Sequence, residues 1–117
     1  MTIQIPGVDE KKGLDLYDDD EDLYLIILRS YADNTPAVLN KLRTVSAETL
    51  KDYAAAMHGI KGTSTAVGAE ELRQAALKLE TMARDGDISG VQAGNPAFLK
   101  QADTLIEDIK AWLGNNQ

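Results

Sequence analysis

Polar and apolar residues alternate along this chain with a period near three and a half. Apolar positions fall three and four apart in four successive stretches, which predicts amphipathic helices rather than strands. The first stretch holds Leu23, Ile26, Ile27, Tyr31, Val38, Leu39 and Leu42 and runs past Pro36. That proline predicts a bend, or a break into two helices, because it removes a backbone donor and crowds the preceding turn. The second stretch, Lys51 to Val67, carries Leu50, Tyr53, Met57, Ile60, Ser64 and Val67 on one stripe, with Ser46 placed as N-cap and Gly68 as the C′ residue. The third, Ala69 to Arg84, buries Leu72, Ala75, Ala76, Leu79 and Met82 and stops at Asp85-Gly86. The fourth opens on Asn95-Pro96 as N-cap and N1, carries Phe98, Leu99, Ala102, Leu105, Ile106, Ile109, Trp112 and Leu113, and ends at Gly114. Between the last two, Asp87 to Gly94 contains Gly90 and Gly94 and predicts a loop.

Ahead of these helices, Met1 to Val8 predicts an extended arm with Pro6 and Gly7, then a short helical piece from Asp9 to Leu16 that caps the bundle. Asn115 to Gln117 reads as a frayed polar tail. Short connections between long helices favour antiparallel neighbours. The expected fold is therefore all-α: an antiparallel up-down four-helix bundle with a short extra N-terminal helix, one domain over residues 1–117.

Composition narrows the function. Hydrophobic residues make up 44% of the chain and aromatic ones 5%, so the core is aliphatic. Twelve basic against nineteen acidic side chains give a net charge of −7, which repels phosphate backbones and argues against a nucleic-acid partner. The chain has no cysteine, hence no disulfide and no thiolate metal site, in keeping with a cytoplasmic protein. The longest apolar run, Leu23 to Leu28, is far shorter than the ~20 residues that span a bilayer, and the N-terminus has no signal segment. The acidic run Asp18 to Asp22 lacks the glycine and closing glutamate of a calcium loop and suits a helix N-terminus better.

One residue stands out chemically. His58, the only histidine, lies roughly 130° from the centre of its helix's apolar stripe, so it faces outward. Its surface neighbours are Lys51, Ala54, Ala55, Lys61, Gly62 and Thr65. Gly62 costs about 1 kcal/mol relative to alanine inside a helix, so its place one turn after His58 calls for a use, and access to the ring is the simplest. A neutral imidazole is a competent nucleophile near neutral pH, and a phosphoryl group is a sensible electrophile for it. Lys61, three residues on, is placed to pair with phosphoryl oxygens, with Lys51 adding to the field. The wheel alone leaves two readings open, a docking-accessible nucleophile or an ordinary surface histidine near lysines. Three other chemistries are disfavoured. One imidazole without cysteine or a second histidine holds a metal poorly. Gly59 to Ser64 lacks the glycine spacing and preceding strand of a phosphate-binding loop. Ser64 lies inside a helix, not on the sharp turn a hydrolase nucleophile needs.

The run His58-Gly-Ile-Lys-Gly-Thr-Ser-Thr-Ala-Val-Gly-Ala-Glu-Glu-Leu, continuing to Leu79-Glu80, resembles the histidine-containing phosphotransfer (HPt) domain of bacterial and plant phosphorelays. The resemblance rests on His58, Ile60, Lys61, Gly62, Gly68, Leu72 and Leu79-Glu80 and extends, with the helix layout, over nearly the whole chain. It implies a four-helix bundle in which His58 accepts phosphoryl from a receiver-domain aspartate and passes it to another, Lys61 holds the phosphoryl group and Gly62 clears the approach. It also implies partners, the receiver domains of response regulators or hybrid sensor kinases, which bring the catalytic magnesium. The chain itself is then a monomeric, cytoplasmic carrier with no cofactor, no metal and no ATP site. The docking surface expected around His58 includes Lys51, Ala54, Ala55 and Thr65, with Ile27 or Leu28 from the neighbouring helix. The alternative is an interaction module that binds a receiver or kinase without taking phosphate. Two features depart from the family pattern: Gly59, where a longer polar residue is usual, and the Asp87 to Gly94 stretch, where many members continue a helix. Some members place a polar residue of the next helix beside the histidine, and Gln74 and Lys78 are the candidates for that place.

Overall fold

The computed structural model describes residues 3–115. It is all-helical, with five α-helices: α1 Glu10–Asp15, α2 Glu21–Lys41, α3 Leu50–Val67, α4 Glu70–Arg84 and α5 Ile88–Asn115. A 3₁₀ turn, Ala47–Thr49, leads into α3. α3 packs on α2 and α4, and α5 packs on α4 and α2, so the four long helices close a ring around one core that is largely aliphatic but also holds Tyr24, Tyr31, Tyr53 and Phe98, where the composition predicted an aliphatic one. Met1 and Thr2 of the expected arm, and Asn116 and Gln117 of the expected tail, lie outside the described residues.

The starts of α2 and α3 have local causes. Asp18 and Asp19 take left-handed backbone conformations, φ 53° and 61°, which aspartate tolerates better than most residues. They turn the chain so that the Asp20 carboxylate accepts the Leu23 N–H at 3.1 Å and caps α2. The acidic run is thus a turn and a cap. α2 continues through Pro36 to Lys41 without the break that the proline allowed. Ser46 precedes the 3₁₀ turn, donating its N–H to Thr49 Oγ1 at 3.0 Å, so α3 starts at Leu50 rather than directly after Ser46.

The buried face of α2 is Tyr24, Leu28, Tyr31, Ala32, Thr35 and Leu39. Leu23 and Ile26, expected inside, are 40% and 59% exposed. Leu23 to Leu28 is apolar on every side, so periodicity cannot choose its face. The phenols choose it: Tyr24 donates to the Val67 carbonyl at 2.7 Å, and Tyr31 shares a 3.0 Å hydrogen bond with Ser64. The Tyr24 bond and the Tyr17 bond to the Ala66 carbonyl at 2.8 Å satisfy carbonyls at the end of α3 that the helix itself cannot. The core stripe expected on α3, Leu50 through Val67, is buried at all six positions.

α5 corrects the sequence reading. Asp87 to Gly94 is not a loop, and Asn95-Pro96 is not a helix start. The Asp87 carboxylate accepts the Gly90 N–H at 2.8 Å and its carbonyl accepts the Val91 N–H, so Asp87 begins the helix. Fully buried Val91 anchors this first segment against the core. Asn95 spends its side chain on tertiary bonds instead of a cap: its amide donates to the Leu42 carbonyl and its oxygen accepts from Tyr53, both at 2.8 Å. The helix also passes Gly114 to Asn115, the last described residue. Its 28 residues at about 1.5 Å rise account for the 46 Å long axis of the molecule.

Gly68 closes α3 as expected, with φ 80°, its N–H on the Thr65 carbonyl and the Ala69 N–H on the Ser64 carbonyl. Its own carbonyl accepts the Asp9 N–H at 2.8 Å, which docks α1 on the end of α3. A Cβ here would run into the Asp9 carbonyl oxygen. Gly68→Ala is expected to cost at least about 1–3 kcal/mol from the left-handed backbone alone, read as a lower urea midpoint with an unchanged slope.

Candidate functional site

α3 and α4 are joined by the single tight corner at Gly68-Ala69, so the outer flank of α3 and the adjoining flank of α4 lie side by side. His58 is on that flank, its side chain 64% exposed. Its Nδ1 lies 3.1 Å from Oε2 of Glu80, a residue of α4 whose own side chain is 6% exposed. Lys61 Nζ donates to Glu80 Oε1 at 2.8 Å, and Arg84 donates to Oε2 through Nε at 3.0 Å, with its Nη2 in ion-pair contact at 2.8 Å. One sunken carboxylate therefore gathers three nitrogen-bearing side chains from two helices.

Desolvating a carboxylate costs several kcal/mol. Charge-assisted hydrogen bonds from Lys61 and Arg84 offset that cost, and the carboxylate stays ionised. Its pKa is held down at about 2, first by the Lys61 hydrogen bond and then by those of Arg84 and His58, against the opposing effect of burial. An ionised carboxylate only accepts, so the hydrogen in the His58–Glu80 bond belongs to Nδ1. Neutral His58 is then the Nδ1–H tautomer, with its lone pair on Nε2. Among the described residues the ring's hydrogen bond is through Nδ1 alone, and Nε2 lies on the ring edge away from Glu80.

The expected neighbours divide. Lys51, Ala55, Gly62 and Thr65 are exposed, and Lys61 is half-buried over Glu80. A Cβ placed on Gly62 or on Gly59 would meet nothing within 4 Å, so neither glycine is required by packing inside this chain. Ala54 is different: at 4% exposure it belongs to the core, because it shares the flank of Lys61 that α4 covers. Leu28 is wholly buried on α2 and offers no docking surface. Thr65 Oγ1 donates to the Lys61 carbonyl at 3.0 Å. Ser64 is buried against Tyr31. Neither Gln74, which donates to Glu70, nor Lys78 bonds His58; Glu80 holds that place. The signal for it was in the Leu79-Glu80 pair: Leu79 faces the core, so the next residue sits about 100° around the helix, on the flank that turns toward α3.

On the other side of α3 an open groove of about 490 Å³ runs between α2 and α3, lined by Ile27, Val38, Ala56, Ile60, Ser30 and Thr63 among others, with Gly59 on its edge. Ala55, Gly59 and Gly62 form a low saddle between this groove and the His58 ring.

The electrostatics give a pH dependence with a definite sign. Glu80 titrates near 2 in the folded chain against an ordinary value of 4.5, so the unfolded chain binds its proton more readily. Its contribution to stability is complete above pH 4.5 and is lost as pH falls from there towards 2. The unfolding free-energy difference between the wild type and Glu80→Gln, measured by urea titration, is expected to be largest above pH 5 and to shrink steadily to pH 2.

A family model described as Hpt domain matches residues 26–112, most of α2 through nearly all of α5, His58, Lys61, Gly62 and Glu80 included. No curated protein and no solved structure matches the chain.

Proposed function

Because the chain belongs to the Hpt domain family, we propose that it is a phosphorelay intermediate that accepts a phosphoryl group on Nε2 of His58 from a receiver-domain aspartate and hands it to another. Family membership carries the class of function, histidine phosphotransfer in two-component signalling through receiver domains. The observation that supports His58 as the acceptor is its geometry: one ring nitrogen engaged by an ionised carboxylate, the other without a hydrogen bond among the described residues on a side chain that is largely exposed.

The step balances without moving a proton. The Nε2 lone pair attacks phosphorus, the N–P bond forms as the P–O bond to the receiver aspartate breaks, and the aspartate leaves as a carboxylate. In the return step a carboxylate oxygen attacks phosphorus, and the N–P electron pair returns to Nε2. Lys61, within one helical turn of the ring, is the cation for the phosphoryl oxygens, with Lys51 farther off. Magnesium belongs to the partner. The carrier works as a monomer in the cytoplasm, without an ATP site of its own, and we read its four long helices as an antiparallel up-down bundle.

Docking uses the saddle and the groove beside it. Ala55, Gly59, Gly62 and Thr65 leave the approach to His58 low. Ile27 lines the α2–α3 groove, and Leu23 and Ile26 extend its apolar surface along α2. Exposed apolar residues contiguous with a reactive group are the ordinary mark of a protein interface.

Incubation with a phosphorylated receiver is expected to place an acid-labile, base-stable label between Lys51 and Val67, absent in His58→Gln, while ATP alone labels nothing. A His58→Gln variant that still relays phosphate overturns the acceptor, and one that still binds and signals without any label favours the interaction-module reading. Gly62→Ala separates access from folding: the fold should gain up to about 1 kcal/mol from helix propensity, while transfer from the receiver slows. An unchanged transfer rate in that variant removes Gly62 from the docking surface.

A further inference from the structure

We propose that the two sides of His58 read different features of the partner: the α2 side takes an uncharged apolar surface, and the α4 side takes carboxylates. The inference rests on the carrier reading and extends it to the kind of receiver this chain accepts and the way round it docks. Among the described residues, none that lines the α2–α3 groove is charged. Ile27, Val38, Ala56 and Ile60 supply its apolar lining, and its polar groups are hydroxyls and one amide.

The other side is cationic, in a chain whose net charge is −7. Exposed Lys51 lies seven residues before His58 and so on nearly the same line of α3. Lys61 and Arg84 meet over Glu80, and their exposure differs from that of the carboxylate between them: the Arg84 side chain is 57% exposed and that of Glu80 6%. The anion is sunk beneath the cations, so the surface a partner meets is positive. Arg73, on the same edge of α4, adds no net charge because Glu70 pairs with it. Two acidic residues adjoin these cations in sequence. Asp52 shares a line of α3 with Gly59 and Thr63, seven and eleven residues on, and so belongs to the groove side. Asp85 is the C-cap at the end of α4. A positive edge and a neutral groove on opposite sides of one ring admit a partner in one orientation, with its carboxylates over α4. Charges at an interface rim act on orientation and association rate more than on affinity, so this asymmetry selects among receivers by the speed of productive encounter.

Leu77 is the position for the test. It is 40% exposed on α4, three residues before Glu80 and seven before Arg84, so it shares their edge, and its side chain takes no part in the Glu80 cluster. At about 0.02 M salt, Leu77→Lys is expected to take phosphoryl from a phosphorylated receiver several-fold faster than Leu77→Glu, with the wild type between them. The three rates are expected to fall and converge towards about 0.4 M, where the Debye length is roughly 5 Å. Ser30, exposed on the groove side, gives the contrast: Ser30→Lys and Ser30→Glu are both expected to slow transfer, whichever sign is introduced. Binding of the unphosphorylated receiver is expected to follow the same order at Leu77, which separates carboxylates of the partner from the phosphoryl group itself. Equal rates for Leu77→Lys and Leu77→Glu at low salt, or a sign effect confined to the phosphorylated receiver, overturn the proposal. So does a wild-type transfer rate that does not fall as salt is raised, a measurement that needs no variant. Failure of the carrier reading looks different, because no phosphorylated receiver would then label His58 at any salt concentration.

Discussion

A buried carboxylate bridging two helices is the constraint on which the site depends. Glu80 is out of water, so it must be paired; Arg84 of its own helix supplies part of that pairing, and Lys61 and His58 supply the rest by holding α3 against α4 in one register. That requirement does two things at once. It ties the helices that carry the site, and it fixes which imidazole nitrogen bears the hydrogen. A glutamine would preserve the shape of the contact and lose the charge that decides the tautomer.

The rest of the fold holds that register in place. Gly68 turns α3 into α4 within one tight corner, and Tyr17, Tyr24 and α1 close off the carbonyls at the end of α3. The far end is held by Asn95, whose side chain joins Tyr53 of α3 to the end of α2. These contacts lie on the buried faces, which leaves the outer surface of α3 free of packing demands. Small residues can therefore accumulate around His58 without cost to the core, as the open space around Gly59 and Gly62 shows. A rigid scaffold with a low, accessible surface suits the histidine phosphotransfer of the Hpt family.

Much of this was legible in the sequence because α3 and α4 have clean amphipathic patterns: the core stripe, the corner at Gly68 and the outward face of His58 all follow from the helical period. Two regions were not. In α2 the run Leu23 to Leu28 is apolar all round, and only the reach of Tyr24 and Tyr31 to α3 selects the buried face. In α5 local signals mislead, since Gly90, Gly94 and Asn95-Pro96 look like a loop and a start, yet tertiary packing of Val91 and Asn95 outweighs their propensities. The site partner was missed for a related reason. Gln74 and Lys78 are the polar residues of the next helix that the pattern offers, whereas the residue that reaches His58 is a charged one that is buried. Ala54 was misplaced because a wheel shows which way a residue points and not which flank a second helix will cover.

The proposed chemistry is regiochemically specific, at Nε2 of His58 because Nδ1 is occupied by Glu80. The most direct measurement is the phosphorus-31 spectrum of the chain after loading by a phosphorylated receiver, which distinguishes phosphoryl on one ring nitrogen from the other. A single Nε2-phosphohistidine at His58 is the predicted result. Phosphoryl on Nδ1, or on any residue other than His58, contradicts it.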